Sequence, residues 1–269
     1  MRRNAFAFLL ASLVLAAAPA SAQQQLIVGV ANEFGFPVAD LKAPDFVVKL
    51  DKDVRAVQSA EYQKVELVDA VLLLDTSEAG KQVRGEIAGA ASLFIDRLKE
   101  QEQMAIIGFA TSADLLQDFT ASPDLLRRAL SRLRFGNAPS MLDSIYAAVD
   151  GAFANAAGRR VLMVVATGFD FRNRVRREEV IEQARRRDVS VFAISLISDS
   201  DLQKITEQTA GHYYRGRQLK QIQQVVENLT AAFRGHYVLS VAGGPLDYKK
   251  LKLEVPSRDK LKVSYRIAR

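Results

Sequence analysis

Residues 71–80 read VLLLDTSEAG. Four apolar residues in succession belong inside a sheet that is covered on both faces. They run into Asp75, two hydroxyls, a glutamate and a glycine, so a carboxylate stands at the tip of a buried strand with Ser77 two residues on. That arrangement has two readings. A carboxylate and hydroxyls at such a tip can hold a divalent cation, or they can end the strand and cap the helix that follows.

Working outward, residues 67–74 are apolar apart from Asp69. Over 81–100, Val83, Ile87, Ala91, Phe94 and Leu98 recur at helical spacing. Residues 104–110 and 115–119 predict strands, and Ser122-Pro123 opens a helix with a capping serine and a proline in the first position. A helix over 141–157, closed by Gly158, leads to VLMVVA at 161–166, a second doubly covered strand. Then come a helix over 176–187, a strand over 189–197, a helix capped by Ser200, a short strand at 212–215 and a helix through Ile222, Val226 and Phe233. Strand and helix alternate, which predicts an α/β fold: a doubly wound, mostly parallel sheet with helices on both faces.

The flanks differ. Residues 26–63 read as strands and turns, with Gly35 and Pro37 as turn-formers, and strand character returns over 236–269. These segments predict a small β appendage. The expected division is 23–65, 66–235 and 236–269, preceded by a leader over 1–22. Arg2 and Arg3, an apolar run over 5–18 and the small residues of Pro19-Ala20-Ser21-Ala22 predict a secretory signal cleaved after Ala22. The alternative is an anchor, but the run falls short of the roughly 20 residues that span a membrane. A secreted or periplasmic protein without a membrane span is therefore expected.

Composition removes several chemistries. There is no cysteine for a zinc–thiolate site, a disulfide or a thiol nucleophile. The net charge of +6 is modest. The basic run at 172–187, RNRVRREEVIEQARRR, interleaves Glu178, Glu179 and Glu182 at helical spacing, which predicts a salt-bridged solvent face and no nucleic-acid partner. The two histidines, His212 and His236, each precede a tyrosine at a strand start, where a packed role is expected. No G-x-S-x-G or phosphate-loop motif follows a strand, so a hydrolase is the remotest reading and no enzyme is expected.

DTSEA at 75–79 resembles the D-x-S-x-S opening of the metal-ion-dependent adhesion site of von Willebrand factor type A domains. The resemblance covers 67–235 in element order. GFPVADLKAPDFVV, AGRRVLMVVATGFD and HYVLSVAGGPLDYKKLKLEV are similar to segments of secreted bacterial proteins that flank this domain with β strands. It implies a module that binds a protein partner through the loops at the carboxyl edge of the sheet. Thr76, Glu78, Asn137, Phe169, Phe171 and Arg172 are the candidate contacts. The metal set it implies is degenerate. Asp75 and Ser77 match, and the family's threonine falls on Ser140. Ala79 replaces a serine, and the third loop reads Thr167-Gly168-Phe169 where the family has an aspartate second. Asp170 is the available substitute, and Asp143 matches the aspartate at the helix start. With one carboxylate the expectation is no cofactor. Mg²⁺ or Mn²⁺ held by Asp75, Ser77, Ser140 and Asp170 is the alternative.

Overall fold

A computed structural model describes residues 24–168, 170, 173–216 and 219–268; the predicted leader and the candidates Phe169, Phe171 and Arg172 lie outside them. The leading segment forms β1 (Gln24–Ala31), a turn of 3-10 helix at Ala43–Asp45, β2 (Val47–Leu50), β3 (Asp53–Arg55) and β4 (Val57–Lys64). The central part runs β5 (Val68–Asp75), α1 (Glu78–Lys81), α2 (Arg84–Ile95), β6 (Gln103–Phe109), β7 (Ala113–Thr120), α3 (Pro123–Leu130) and α4 (Met141–Gly151). It continues with β8 (Arg159–Ala166), α5 (Arg177–Arg186), β9 (Val189–Ser195), α6 (Ser200–Glu207), β10 (Tyr213–Arg215) and α7 (Leu219–Phe233). The trailing strands are β11 (Gly235–Val241), β12 (Leu251–Glu254) and β13 (Lys262–Ile267).

The central sheet has the order β10-β9-β8-β5-β6-β7, parallel except for β7. Every residue of β5 is buried, as its apolar run requires. Successive side chains point to opposite faces. Leu72 and Leu74 therefore join the layer built by α2, α3 and α7, while Val71 and Leu73 join that built by α4, α5 and α6. The strand order reverses between β5 and β8, and in such sheets ligands sit at the carboxyl ends of the strands there.

The β appendage is a sandwich. Its sheets have the orders β13-β1-β11-β4 and β12-β2-β3, so the first and last described strands pair, although they lie at opposite ends of the chain. Leu26, Val28, Tyr237 and Leu239 pack against Val48, Leu251 and Leu253 between the sheets. The other face of the larger sheet carries Gln25, His236, Ser240 and Arg266 and lies over the amino-end rim of the central sheet.

Three helices depart from the sequence expectation. The helix expected over 81–100 starts earlier, as α1, because the Ser77 hydroxyl accepts from the Gly80 amide, and it is interrupted before α2. The helix expected to reach 157 stops at Gly151. Phe153 tucks in against Phe119, with ring centroids 5.9 Å apart, and this contact overrides the propensity of the alanines that follow. Asp199, not Ser200, caps α6, its Oδ1 accepting from the amides of Asp201 and Leu202 at 2.9 Å each. The salt-bridged face on α5 forms as expected, with Arg176–Glu179, Arg177–Glu178 and Arg177–Asp201 pairs.

Candidate functional site

Asp75 ends β5 and Thr167 follows β8, so the two meet at the carboxyl rim where the strand order reverses. The Asp75 side chain is fully buried. Its Oδ1 accepts from the Ser77 amide at 3.0 Å and the Ser77 hydroxyl at 2.5 Å. Its Oδ2 accepts from the Thr167 amide at 3.0 Å and the Thr167 hydroxyl at 2.6 Å. Gly80 packs so closely beneath that a Cβ there would lie 2.3 Å from the Asp75 carbonyl oxygen.

The other rim loops join by backbone bonds. The Gly136 amide donates to the Thr76 carbonyl at 2.9 Å, and the Glu78 amide donates to the Asn137 carbonyl at 2.8 Å. Thr76 is buried, and its hydroxyl donates to the Phe109 carbonyl, so its side chain is turned inward. Glu78 and Asn137 are exposed on the rim. Asn137 holds a positive φ of 66°, which its short polar side chain tolerates. Ser140 is buried at the start of α4, and its amide donates to the Ala110 carbonyl at 2.8 Å.

Asp170 is engaged with α4. Its Oδ1 accepts from the Met141 amide at 3.0 Å and its Oδ2 accepts from Asn173 Nδ2 at 2.5 Å. Asn173 in turn accepts from the Leu142 amide at 3.0 Å. Burial raises the Asp170 carboxyl above its usual range, and the bonds from Asn173 and Met141 pull it back. Asp143 faces the same loop, its Oδ1 accepting from the amides of Arg174 and Val175. Asn173 was not singled out from the sequence. Its only signal is the D-x-x-N spacing after Asp170, which is too common to be diagnostic. Gly168 has φ +90°, and a Cβ there would lie 2.6 Å from Ile197 Cγ1 and 2.7 Å from Ser195 Oγ, so no side chain fits without displacement.

For a hard dication these groups are a poor donor set. It wants about six oxygens, with one or two free carboxylates among them and water supplying several of the rest. Here one carboxylate has both oxygens accepting from four protein donors, Ala79 and Gly168 offer no oxygen, and the Asp170 carboxylate is bonded to the start of α4 and to Asn173. Among the described residues no three acidic or histidine side chains are grouped to hold a metal ion.

The histidines lie away from this rim. His212 is buried edge-on to Phe192, and burial holds it down to about 3. His236 sits in the appendage, also held down to about 3, chiefly by burial, with Arg159 and Arg266 adding to the effect.

The sequence matches the family model for the von Willebrand factor type A domain over residues 69–228. No curated protein matches it. Among solved structures, the fold is similar to a von Willebrand factor type A protein from Catenulispora acidiphila, at 11% identity over 93% of this chain and 74% of that one, with a TM-score of 0.56. That likeness extends beyond 69–228 into the flanking strands. Proximal thread matrix protein 1 from the mussel byssus, solved with a zinc-occupied MIDAS motif, matches at 14% identity over 66% of this chain and 49% of that one, with a TM-score of 0.57. An aerotolerance-related membrane protein from Bacteroides fragilis matches at 13% identity over 60% of this chain and 98% of that one, with a TM-score of 0.50.

Proposed function

The chain belongs to the von Willebrand factor type A family, whose domains are protein-interaction and adhesion modules, and from that membership we propose a non-enzymatic, extracytoplasmic binding module. It engages a protein partner through the loops at the carboxyl rim and needs no firmly bound metal. One observation carries the metal-independent reading: the hydrogen bonds that join the loops carrying Ser77 and Thr167 end on Asp75, whose two oxygens accept four protein donors. The leader-like start of the sequence supports a place outside the cytoplasm. Among the described residues, no helix is long and apolar enough to cross a membrane.

The test is site-specific crosslinking. A photoreactive side chain at position 78 or 137, both exposed on the rim, is expected to trap the partner. The same group at Val54, 68% exposed on the appendage, is not. Equal trapping from all three positions rejects the carboxyl rim.

A metal-dependent adhesion module is the second reading. It is favoured by the convergence of the Ser77 and Thr167 hydroxyls on one carboxylate. It requires that Mg²⁺ or Mn²⁺ raise Tm and that chelator lower it, because a ligand selective for the folded state stabilises it. Under the metal-independent reading neither shifts Tm and crosslinking persists in chelator.

A further inference from the structure

At the amino-end rim of the central sheet, opposite Asp75, the polar face of the appendage borders an open cavity of about 680 Å³. Arg159, Asp188, His236 and Arg266 line it, together with Ile27 and Val238. Arg159 uses one of its three nitrogens. Its Nη1 donates to the Gly235 carbonyl at 3.2 Å and to Nδ1 of His236 at 3.0 Å. A guanidinium can only donate, so His236 Nδ1 accepts and the imidazole proton sits on Nε2. With its pKa held down to about 3, His236 is neutral at physiological pH and brings no charge.

Nε and Nη2 of Arg159 are closed to bulk water and have no hydrogen-bond partner. Together they form the side edge of the guanidinium, two parallel N–H groups that match the two oxygens of a carboxylate. Arg266, 5% exposed, leaves its Nε without a partner in the same way, while its Nη1 pairs with Asp188. None of the Arg159 hydrogen bonds goes to a carboxylate. Arg266 pairs with Asp188, so Arg159 is left as a half-buried positive charge with no carboxylate bonded to it, although Asp188 still attracts it through space. Burial pulls it down to about 9, which leaves it charged at neutral pH. Two guanidinium nitrogens shut away from water without an acceptor are unfavourable.

We propose that this cavity binds a small monocarboxylate, with its two oxygens on Nε and Nη2 of Arg159 and its apolar remainder along Ile27 and Val238. A single negative charge faces the guanidinium that has no carboxylate bonded to it. A dianion such as phosphate would bring a second charge towards Asp188 and Glu61, which line the same cavity. Because both nitrogens are closed to water, binding turns the guanidinium so that its free edge faces the cavity.

Thermal melts of the full chain in sodium acetate, butyrate, phosphate and chloride, at equal ionic strength and neutral pH, test the assignment. Acetate is expected to raise Tm in a saturable way and butyrate to do so at lower concentration, while phosphate, which is excluded from protein surfaces, raises it without saturating. Arg159→Met loses the carboxylate response. Arg159→Lys, which keeps the charge without the fork, shows a weaker one. Nitrogen-15 spectra of the arginine Nε–H groups, recorded on the unmodified protein during an acetate titration, avoid dependence on either variant folding. A saturable shift of an arginine Nε–H resonance supports the site. Identical melting in all four salts, a saturable rise in phosphate as large as that in acetate, an undiminished response in Arg159→Met, or no saturable Nε–H shift would each overturn it.

Discussion

Replacing Asp75 by asparagine probes the carboxyl rim with almost no change of shape. The carboxylate accepts from Ser77 through one oxygen and from Thr167 through the other, with both bonds on each side between 2.5 and 3.0 Å. An amide keeps one acceptor and turns the other into a donor. Whichever way it is oriented, a backbone N–H then faces an NH₂ group, and a neighbouring hydroxyl must turn its proton away. A buried donor left without an acceptor costs about 1–3 kcal/mol, and the loss of bonds to a charged acceptor adds to that, so about 3–5 kcal/mol is expected. At about 2–4 °C per kcal/mol for a domain of this size, Tm falls by about 6–20 °C. Circular dichroism melts of both proteins, with chelator and with millimolar Mg²⁺, measure the gap. It is expected to be the same in both, because protein donors hold the rim. A fall of less than about 2 °C in chelator, or a gap that opens only with Mg²⁺, refutes the reasoning.

Three further outcomes follow from the same physics. Gly168→Asp, which restores the acidic residue of the family pattern, meets a left-handed backbone and atoms at 2.6 and 2.7 Å from its Cβ. It is expected to lower stability by about 1–3 kcal/mol without creating a cation site, and a Mg²⁺-dependent rise in its Tm would contradict this. Arg234 grips Glu102, which is 3% exposed, through two bonds of 2.6 Å each. Arg234→Met should therefore cost about 3–5 kcal/mol in denaturant unfolding, and a loss under about 1 kcal/mol would show that the pair contributes little. His212 and His236 are each held down to about 3 in the fold, below the unfolded value of about 6.5. Their contribution is full above about pH 6.5 and is lost as pH falls towards about 3, amounting to about 2 kcal/mol per histidine by about pH 5. The Asp170 and Asp199 carboxyls, raised chiefly by burial, act in the opposite sense, so urea titrations at about pH 7.5 and about pH 5 read the histidine loss less what these carboxyls give back. Equal stability at the two values would contradict the buried, neutral assignment.

What the sequence made legible was set by local patterns. The two doubly covered strands, the Ser122-Pro123 start of α3 and the apolar stripes of α2 and α7 each needed only a window of residues, and the order of elements then implied the doubly wound sheet. Tertiary contacts decided the rest. Phe153 packing on Phe119 ended α4 early, and no local rule distinguishes Asp199 from Ser200 as a cap. At the rim, DTSEA pointed to Asp75 and Ser77, but Thr167 reaches Asp75 across 92 positions of sequence. Thr76 looked like a contact residue until its side chain proved to face inward. Arg159 was hidden for the opposite reason. Paired arginines before an apolar run carry no local sign of burial, and only pairing between the first and last described strands builds the sheet that covers Arg159.

Two acidic residues interrupt the apolar character of β5, and both act on the neighbouring strand. Asp69, 5% exposed, accepts from the Gly158 amide at 2.7 Å just before β8, and Asp75 accepts from the Thr167 amide at 3.0 Å just after it. Between them β5 and β8 pair in parallel from Val68 with Arg159 to Leu74 with Val165. Strands covered on both faces carry apolar residues on both, so side-chain alternation alone specifies their register weakly. A carboxylate at each end adds what the pattern lacks, since a slip in either direction strands a buried charge. One staple fixes the residue before Arg159, and the other fixes Thr167 at the start of the rim loop. The two rims lie about 23 Å apart along one strand. The strand between them is buried along its whole length, and coupling would need an element with two discrete arrangements. On the reading proposed here, occupancy of the arginine cavity therefore leaves the partner-binding loops unchanged.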